Sequence, residues 1–302
     1  MISVCIPVFN FNIVPLVHSL YQQAQSADSH IEIVCIDDCS ASEYKSVNAE
    51  VGQEATFVYL ASNIGRARIR NLFLEHTHGE YLLFLDDDCI IPPKFLQTYI
   101  DNISDKTAVV VGGRRYDNQP ADREHYLRWL YGTRIESRTL PQRIANPYQS
   151  FMTNNFMIRR DILETIKFDD RISAYGHEDT LFGFRLKQSN IPILHIDNPV
   201  LNGDVESNDV FLNKSTEAVR NLAYIYKFLD QDPGFADTVR LLRAYRKVAK
   251  LHMSKVVRYA YRLTRRCLRQ RFLRGWGFTT SMFSFYKLGL ITEYMDGHQP
   301  IS

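Results

Sequence analysis

The chain has 302 residues, enough for one large domain or a domain with an appendage. Its 45% apolar and 23% charged content is ordinary for a soluble globular protein. The net charge of +2 conceals an asymmetry: residues 1–237 carry 22 Lys/Arg against 32 Asp/Glu, whereas residues 238–302 carry 14 against 2. An acidic body is thus followed by a basic tail. Five cysteines with no C-x-x-C pair fit a reduced, cytoplasmic chain without a disulfide framework. No run of about 20 apolar residues marks a spanning helix.

In chain order, Ser3–Val8 is an apolar run with no basic flank, and is expected as a buried strand rather than a leader. An amphipathic stretch follows near Val14–Ala24. Ile31–Ile36 is a second strand ending in Asp37-Asp38, and Thr56–Leu60 a weaker third. Ile64–His76 places Ile69, Leu72 and Phe73 on one helical face. Tyr81–Leu85 is a strand ending in Asp86-Asp87-Asp88, and a helix is predicted after Pro92-Pro93. Thr107–Gly113 is a further strand. Residues 114–150 read as a long irregular connection in which Trp129 and Tyr131 are either buried or contact a ligand. Phe151–Arg159 restores order, helices follow near Asp161–Ile166 and Asp179–Gln188, and Ile191–Ile196 is expected as the last strand, with helices from about Asn208. Continuous apolar strands alternating with helices predict an α/β fold with a mostly parallel sheet covered on both faces.

Ligands collect at the carboxyl ends of parallel strands, and two of the front strands end in aspartates. Clustered carboxylates repel unless a cation or donor-rich ligand compensates them. On an extended segment, Asp86 and Asp88 point the same way, which suits one carboxylate on a divalent metal and the other on a ribose hydroxyl.

SVCIPVFN (3–10), VCIDDCS (34–40), NIGRARIRN (63–71) and GEYLLFLDDD (79–88), with TNNFMIRRD (153–161) and FDDRISAYGHEDTLFGFRL (168–186), together resemble glycosyltransferase family 2. The resemblance covers about residues 1–220 and implies a GT-A-type, Rossmann-like catalytic domain there, with 221–302 a basic helical C-terminal extension. It implies an inverting, metal-dependent transfer of a sugar from a nucleotide-diphospho-sugar, a UDP-sugar first, to a hydroxyl acceptor in bacterial surface polysaccharide synthesis. By that resemblance Pro7, Phe9 and Asp37 line the base pocket with Asp38 nearby, and Arg66, Arg70 and Asn71 contact the nucleotide. Asp86 holds the ribose with Asp87 beside it, and Asp88 holds Mn²⁺ or Mg²⁺. Asn154 and Asn155 line the donor-sugar and acceptor cleft, and Asp179, paired with Glu178, is the base. Relatives commonly carry a histidine metal ligand in N-P-V-x-H. Here Asn198-Pro199-Val200-Leu201 is followed by Asn202, a weaker ligand for Mn²⁺.

Blander readings stand beside these. The acidic pairs could cap helices, Arg66, Arg68 and Arg70 could be a solvated helix face, His177 a structural loop residue and His195 a core residue. A nucleotidyltransferase would want a Gly-rich, Arg- or Lys-bearing loop after the first strand, which Asn10–Pro15 does not offer. A scaffold that binds a nucleotide sugar without turnover is the other alternative. The tail, with no acidic residue from Thr238 to Thr292, reads as a surface for an anionic membrane at 238–292, with packing on the acidic body as the alternative. No nucleic-acid motif accompanies it.

Overall fold

The computed structural model describes residues 1–296. The chain groups into two units. The first comprises Met1–Asp117, Ser137–Ser173 and Phe182–Asp204; the second comprises Asn118–Glu136, Ala174–Leu181 and the described residues from Val205.

The strands are β1 (Ile2–Val8), β2 (Ile31–Asp37), β3 (Thr56–Tyr59), β4 (Tyr81–Leu85), β5 (Cys89–Ile90), β6 (Val109–Val111), β7 (Arg114–Arg115), β8 (Asn155–Arg159), β9 (Ile193–His195) and β10 (Val200–Asn202). The helices are α1 (Val14–Gln25), α2 (Ser42–Asn48), α3 (Arg66–His76), α4 (Phe95–Ile100), α5 (Tyr126–Tyr131), α6 (Leu140–Ala145), α7 (Arg160–Thr165), α8 (Glu178–Gln188), α9 (Asn208–Phe228), α10 (Pro233–Thr238), α11 (Arg240–Lys250), α12 (Ser254–Arg274) and α13 (Thr280–Met295).

The first unit is built on a seven-stranded sheet in the order β3-β2-β1-β4-β8-β6-β9. Strands β3, β2, β1 and β4 run parallel, as do β6 and β9; β8 is reversed between β4 and β6. Continuous apolar strands are required here because both faces are covered. Ile2, Val4, Ile6 and Val8 of β1 and Leu83 and Leu85 of β4 join a core with Leu16, Val17 and Leu20 of α1 and Phe95 and Tyr99 of α4. Cys5, Leu82 and Phe84 point the other way, into a core with Ile69 and Phe73 of α3, Leu163 of α7 and Phe182 of α8. Each such side chain, fully buried, stabilises the fold by about 1.5–3 kcal/mol. Phe84 stacks on Phe156 of the reversed strand at 4.9 Å between ring centroids, tying β4 to β8.

A second, three-stranded sheet, β5-β10-β7, belongs to the same unit. Ile193–His195 is therefore not the last strand, as the sequence led us to expect: Val200–Asn202 follows and pairs antiparallel with β5 and parallel with β7. Residues 114–150 are likewise more ordered than expected, containing β7, α5 and α6, the last closed by a capping box between Thr139 and Gln142. Short elements rich in Arg and Tyr carry little periodicity, and the polarity of the stretch masked them.

The second unit is helical: α5 and α9–α13, with the first turn of α8. Phe272 meets Phe278, Phe283 and Tyr286 edge-on, and Phe211 and Tyr131 extend the aromatic cluster. Gly289 allows α12 and α13 to approach, since a Cβ there would lie 2.2 Å from the Tyr261 ring. Position 220, the expected domain boundary, lies within the 21-residue helix α9, which contains neither Gly nor Pro to break it. No helix among the described residues is long and apolar enough to cross a membrane.

Candidate active site

Beyond β4 the chain does not remain extended. The Cys89 N–H donates to the Asp86 carbonyl, closing a tight turn over 86–89. The shared side-chain direction expected of Asp86 and Asp88 on an extended segment is thus replaced by a turn in which each of the three acids has its own protein partner. Asp86 accepts from Arg70 at 2.8 Å and from Arg66 at 3.3 Å, with Arg114 at 3.9 Å. Burial pulls the Asp86 pKa up, but the guanidiniums of Arg66, Arg70 and Arg114 together hold it below the usual carboxylate range. Asp87 accepts the backbone N–H of Phe9 at 3.1 Å. Burial, only partly offset by that bond and reinforced by Asp86 and Asp88, pushes its carboxyl up to about 7. Asp88 Oδ2 accepts from Asn202 Nδ2 at 2.8 Å, and the Asp88 carbonyl accepts from Gly203 N at 2.8 Å. The pairing of β5 with β10, which sets Asn202 opposite Cys89, produces both contacts.

Arg70, 1% exposed, also donates to the Arg66 carbonyl, so α3 carries its own brace to the acid turn. Arg114 is the residue that sequence reasoning missed; its signal was a pair of arginines directly after Gly112-Gly113 at a strand end. Asp37 closes β2 and is buried, its Oδ1 accepting from Ser40 N at 2.8 Å with Lys45 at 3.8 Å. Asp38 accepts from Ile64 N at 2.7 Å and Gly65 N at 3.1 Å, which orders the turn leading into α3. Gly65 has φ +84, a conformation open to glycine and strained in other residues. Phe9 is 50% exposed beside the acid turn, and Pro7 is half-buried opposite Ile36. Asn71 is committed elsewhere: its amide donates to Phe168 O and Asp170 Oδ1 and accepts from Phe168 N, all at 2.9 Å.

Asn154 and Asn155 are adjacent and buried, yet differ sharply. Asn155 is satisfied, accepting from the Tyr99 hydroxyl at 2.6 Å and donating to Gly113 O and Asn198 O at 2.9 Å. Asn154, 3% exposed, has a buried Oδ1 with no hydrogen-bond partner among the described residues, while its carbonyl accepts from Asp86 N. A buried acceptor left unsatisfied costs about 1–3 kcal/mol, and a ligand hydroxyl would satisfy it.

Glu178 and Asp179 open α8 in the second unit. Asp179 Oδ1 accepts from Thr180 N at 2.6 Å and from Thr180 Oγ1 at 3.2 Å. The approach to them is a strained turn: Gly176 has φ 92 and His177 φ 69. Asn221 of α9 ties it down by donating to the Ala174 and Gly176 carbonyls. His177 bonds Thr180 Oγ1 through Nδ1 at 3.1 Å. Burial, reinforced by Lys287 and opposed by Glu178, pushes its imidazole down to about 4. His195 is a core residue, held between the Arg143 guanidinium at 3.2 Å and the Pro147 carbonyl at 3.0 Å. Trp129 packs on Tyr126, and Tyr131 packs in the aromatic cluster under Lys287.

Among the described residues, no three His, Cys, Asp or Glu groups converge as a metal site. The donor set still fits a hard divalent ion. Mg²⁺, and Mn²⁺ in similar sites, commonly takes one or two carboxylates and completes its shell with substrate phosphates and water. Asp88, whose Oδ2 accepts from the Asn202 amide N–H, is such a single carboxylate.

A mostly parallel sheet flanked by helices, with one reversed strand and an acid turn beyond β4, defines the GT-A class of fold. The sequence model of Glycosyl transferase family 2 matches residues 3–167, more than half of the chain, and the chain belongs to that family. It is 35% identical over 97 residues to an uncharacterized glycosyltransferase of Haemophilus influenzae, covering 31% of this chain and 32% of that one. It is 33% identical over 93 residues to the putative teichuronic acid biosynthesis glycosyltransferase TuaG of Bacillus subtilis, covering 29% and 36%. The match thus spans about a third of these curated relatives. A mannosyltransferase from Pyrobaculum calidifontis, solved in complex with GDP-Man and Mn²⁺, shares the fold with a TM-score of 0.56 at 14% identity, over 98% of this chain and 88% of that one.

Proposed function

We propose that this chain transfers a sugar from a nucleoside diphosphate, UDP in the first instance, to a hydroxyl of a saccharide or lipid-linked saccharide, with inversion at the anomeric carbon. The observation that carries this reading is the acid turn: three consecutive carboxylates held apart by Arg70, Phe9 and Asn202 in a family 2 chain. The setting, bacterial surface polysaccharide assembly, is supported by the TuaG relative.

In this reading Asp37 and Phe9 receive the base and Asp86, fixed by its arginines, receives the ribose. Asp88 would hold Mn²⁺ or Mg²⁺, with Asn202 able to turn its amide oxygen to the ion, and the ion would supply charge neutralisation for the diphosphate leaving group. The Pyrobaculum mannosyltransferase complex with GDP-Man and Mn²⁺ supports a divalent ion. The Asn154 Oδ1 accepts from a sugar hydroxyl. Asp179 takes the acceptor proton as the oxygen attacks, a contribution of roughly 10²–10⁴-fold. Attack comes from the face opposite the leaving group, so the centre inverts.

The experiment is a donor screen that follows nucleotide release with Mn²⁺ or Mg²⁺, run on the full chain and on Asp179→Asn. Donor-specific release that falls by about 10²–10⁴-fold in the variant, with nucleotide binding intact, supports the proposal. Donor binding without release by the wild type would favour the scaffold that Asn202 leaves open. Full activity in the variant would remove Asp179 from its role.

A further inference from the structure

The second unit carries a surface that the transfer chemistry does not use. Helix α12 buries one face, with Tyr261 and Phe272 turned into the aromatic cluster and Leu268 buried on the same side. Its opposite face should then be polar. Instead Val256, Tyr259 and Leu263 stand 58%, 67% and 66% exposed. Their spacing of i, i+3 and i+7 places them in one stripe along the helix. Leu251 and Met253, just before the helix, are exposed as well. Scattered exposed apolar residues need no explanation, but an aligned set does.

Beside the stripe runs a cationic row. Lys255, Arg262, Arg266 and Arg269 follow the same helical spacing, displaced to one side. Arg262 pairs with Glu293 and Arg269 with Asp209, whereas Lys255 and Arg266 have no ion pair among the described residues. From Arg240 to Arg274 there are 13 Lys/Arg and no Asp or Glu. Exposed Lys247 and Lys250 at the end of α11 add to the same field.

We infer that this face of α12 lies in the plane of an anionic lipid bilayer, with Val256, Tyr259 and Leu263 in the acyl boundary and Lys255 and Arg266 on lipid phosphates. An apolar stripe flanked by cations is the pattern of a helix that lies on a membrane. No described helix can span one. Two copies meeting stripe to stripe would bring their cationic rows together, which is repulsive. A nucleic acid would match the charge but leave the aliphatic centre against phosphates. The inference is independent of the transfer reaction, so either can fail alone.

The test is flotation of the full chain with vesicles of phosphatidylcholine alone or with about one third phosphatidylglycerol. Two variants accompany it: Val256→Ser/Tyr259→Ser/Leu263→Ser and Lys255→Glu/Arg266→Glu. All five side chains are exposed, so folding should be unchanged, which a thermal melt verifies. The wild type is expected to float with the anionic vesicles only and to be released by salt. Each variant should partition at least about tenfold more weakly. Wild-type protein that remains at the bottom with anionic vesicles would overturn the inference. So would equal flotation of the triple variant. A concentration-dependent dimer that the triple variant loses, without vesicle binding, would assign the face to a second copy instead.

Discussion

Asn202 donates its amide N–H to Asp88 Oδ2 across 2.8 Å, joining the end of β10 to the acid turn. The adjacent Gly203 holds the Asp88 carbonyl, and a Cβ at Gly203 would lie 2.8 Å from that oxygen. Asn202→His would place an imidazole beside the carboxylate, and imidazole favours Mn²⁺ over Mg²⁺ more than an amide oxygen does. The variant should therefore bind UDP more tightly with Mn²⁺ than the wild type, with little gain in Mg²⁺. Asp88→Ala should lose metal-dependent UDP binding. Titration calorimetry with each ion measures both, and metal-dependent binding unchanged in both variants would exclude this pair as ligands.

Asn154 and Asn155 offer a paired experiment on neighbouring buried amides. Asn155→Leu strands the Tyr99 hydroxyl and two carbonyls, and should cost at least about 2 kcal/mol in urea unfolding. Asn154→Leu removes an acceptor that has no partner, and should be within about 0.5 kcal/mol of neutral. Its effect should appear in transfer instead, as a higher donor or acceptor KM. A large stability loss in Asn154→Leu would mean that the residue is structural.

Arg66 and Arg70 both reach Asp86, but only Arg70 is buried. Arg70→Met removes the buried, shortest partner and leaves Asp86 to the longer contacts of Arg66 and Arg114, so it should destabilise the protein by up to about 3 kcal/mol. Arg66, 42% exposed, forms a solvent-screened contact, and Arg66→Met should cost under about 1 kcal/mol. Denaturant midpoints at fixed pH distinguish the two. Equal losses would mean that Asp86 is satisfied by solvent.

His177 gives a pH dependence whose sign is fixed. Its pKa falls from 6.5 to about 4 on folding, so the folded protein holds the neutral imidazole. Below pH 6.5 the unfolded chain binds the extra proton, and stability contributed by neutral His177 is lost as pH falls toward 4. Above 6.5 that contribution is fully present. His177→Asn removes the titration and suits the positive φ, since Asn tolerates that region. The variant should show a flatter stability profile between pH 6.5 and 4 in thermal melts. An unaltered profile would mean that His177 is solvated.

The large sheet was legible because buried parallel strands are continuous apolar runs, and β1, β2 and β4 announce themselves in that way. The acids at their ends were legible as well, since charge after such a run is conspicuous. The small sheet was not. Strands as short as Cys89–Ile90 and Arg114–Arg115 have no periodicity, and their pairing is made by Val200–Asn202, over eighty residues away. For the same reason Arg114 was missed. The contrast between Asn154 and Asn155 was equally invisible, because it depends on Tyr99, Gly113 and Asn198 converging on one amide and not on its neighbour.

An arginine, a peptide N–H and an amide each hold one carboxylate of the acid turn. A cation that arrives and departs with each diphosphate would displace one neutral contact at most. The scaffold therefore stands ready between turnovers, and removing metal with a chelator should stop the chemistry while leaving the protein folded.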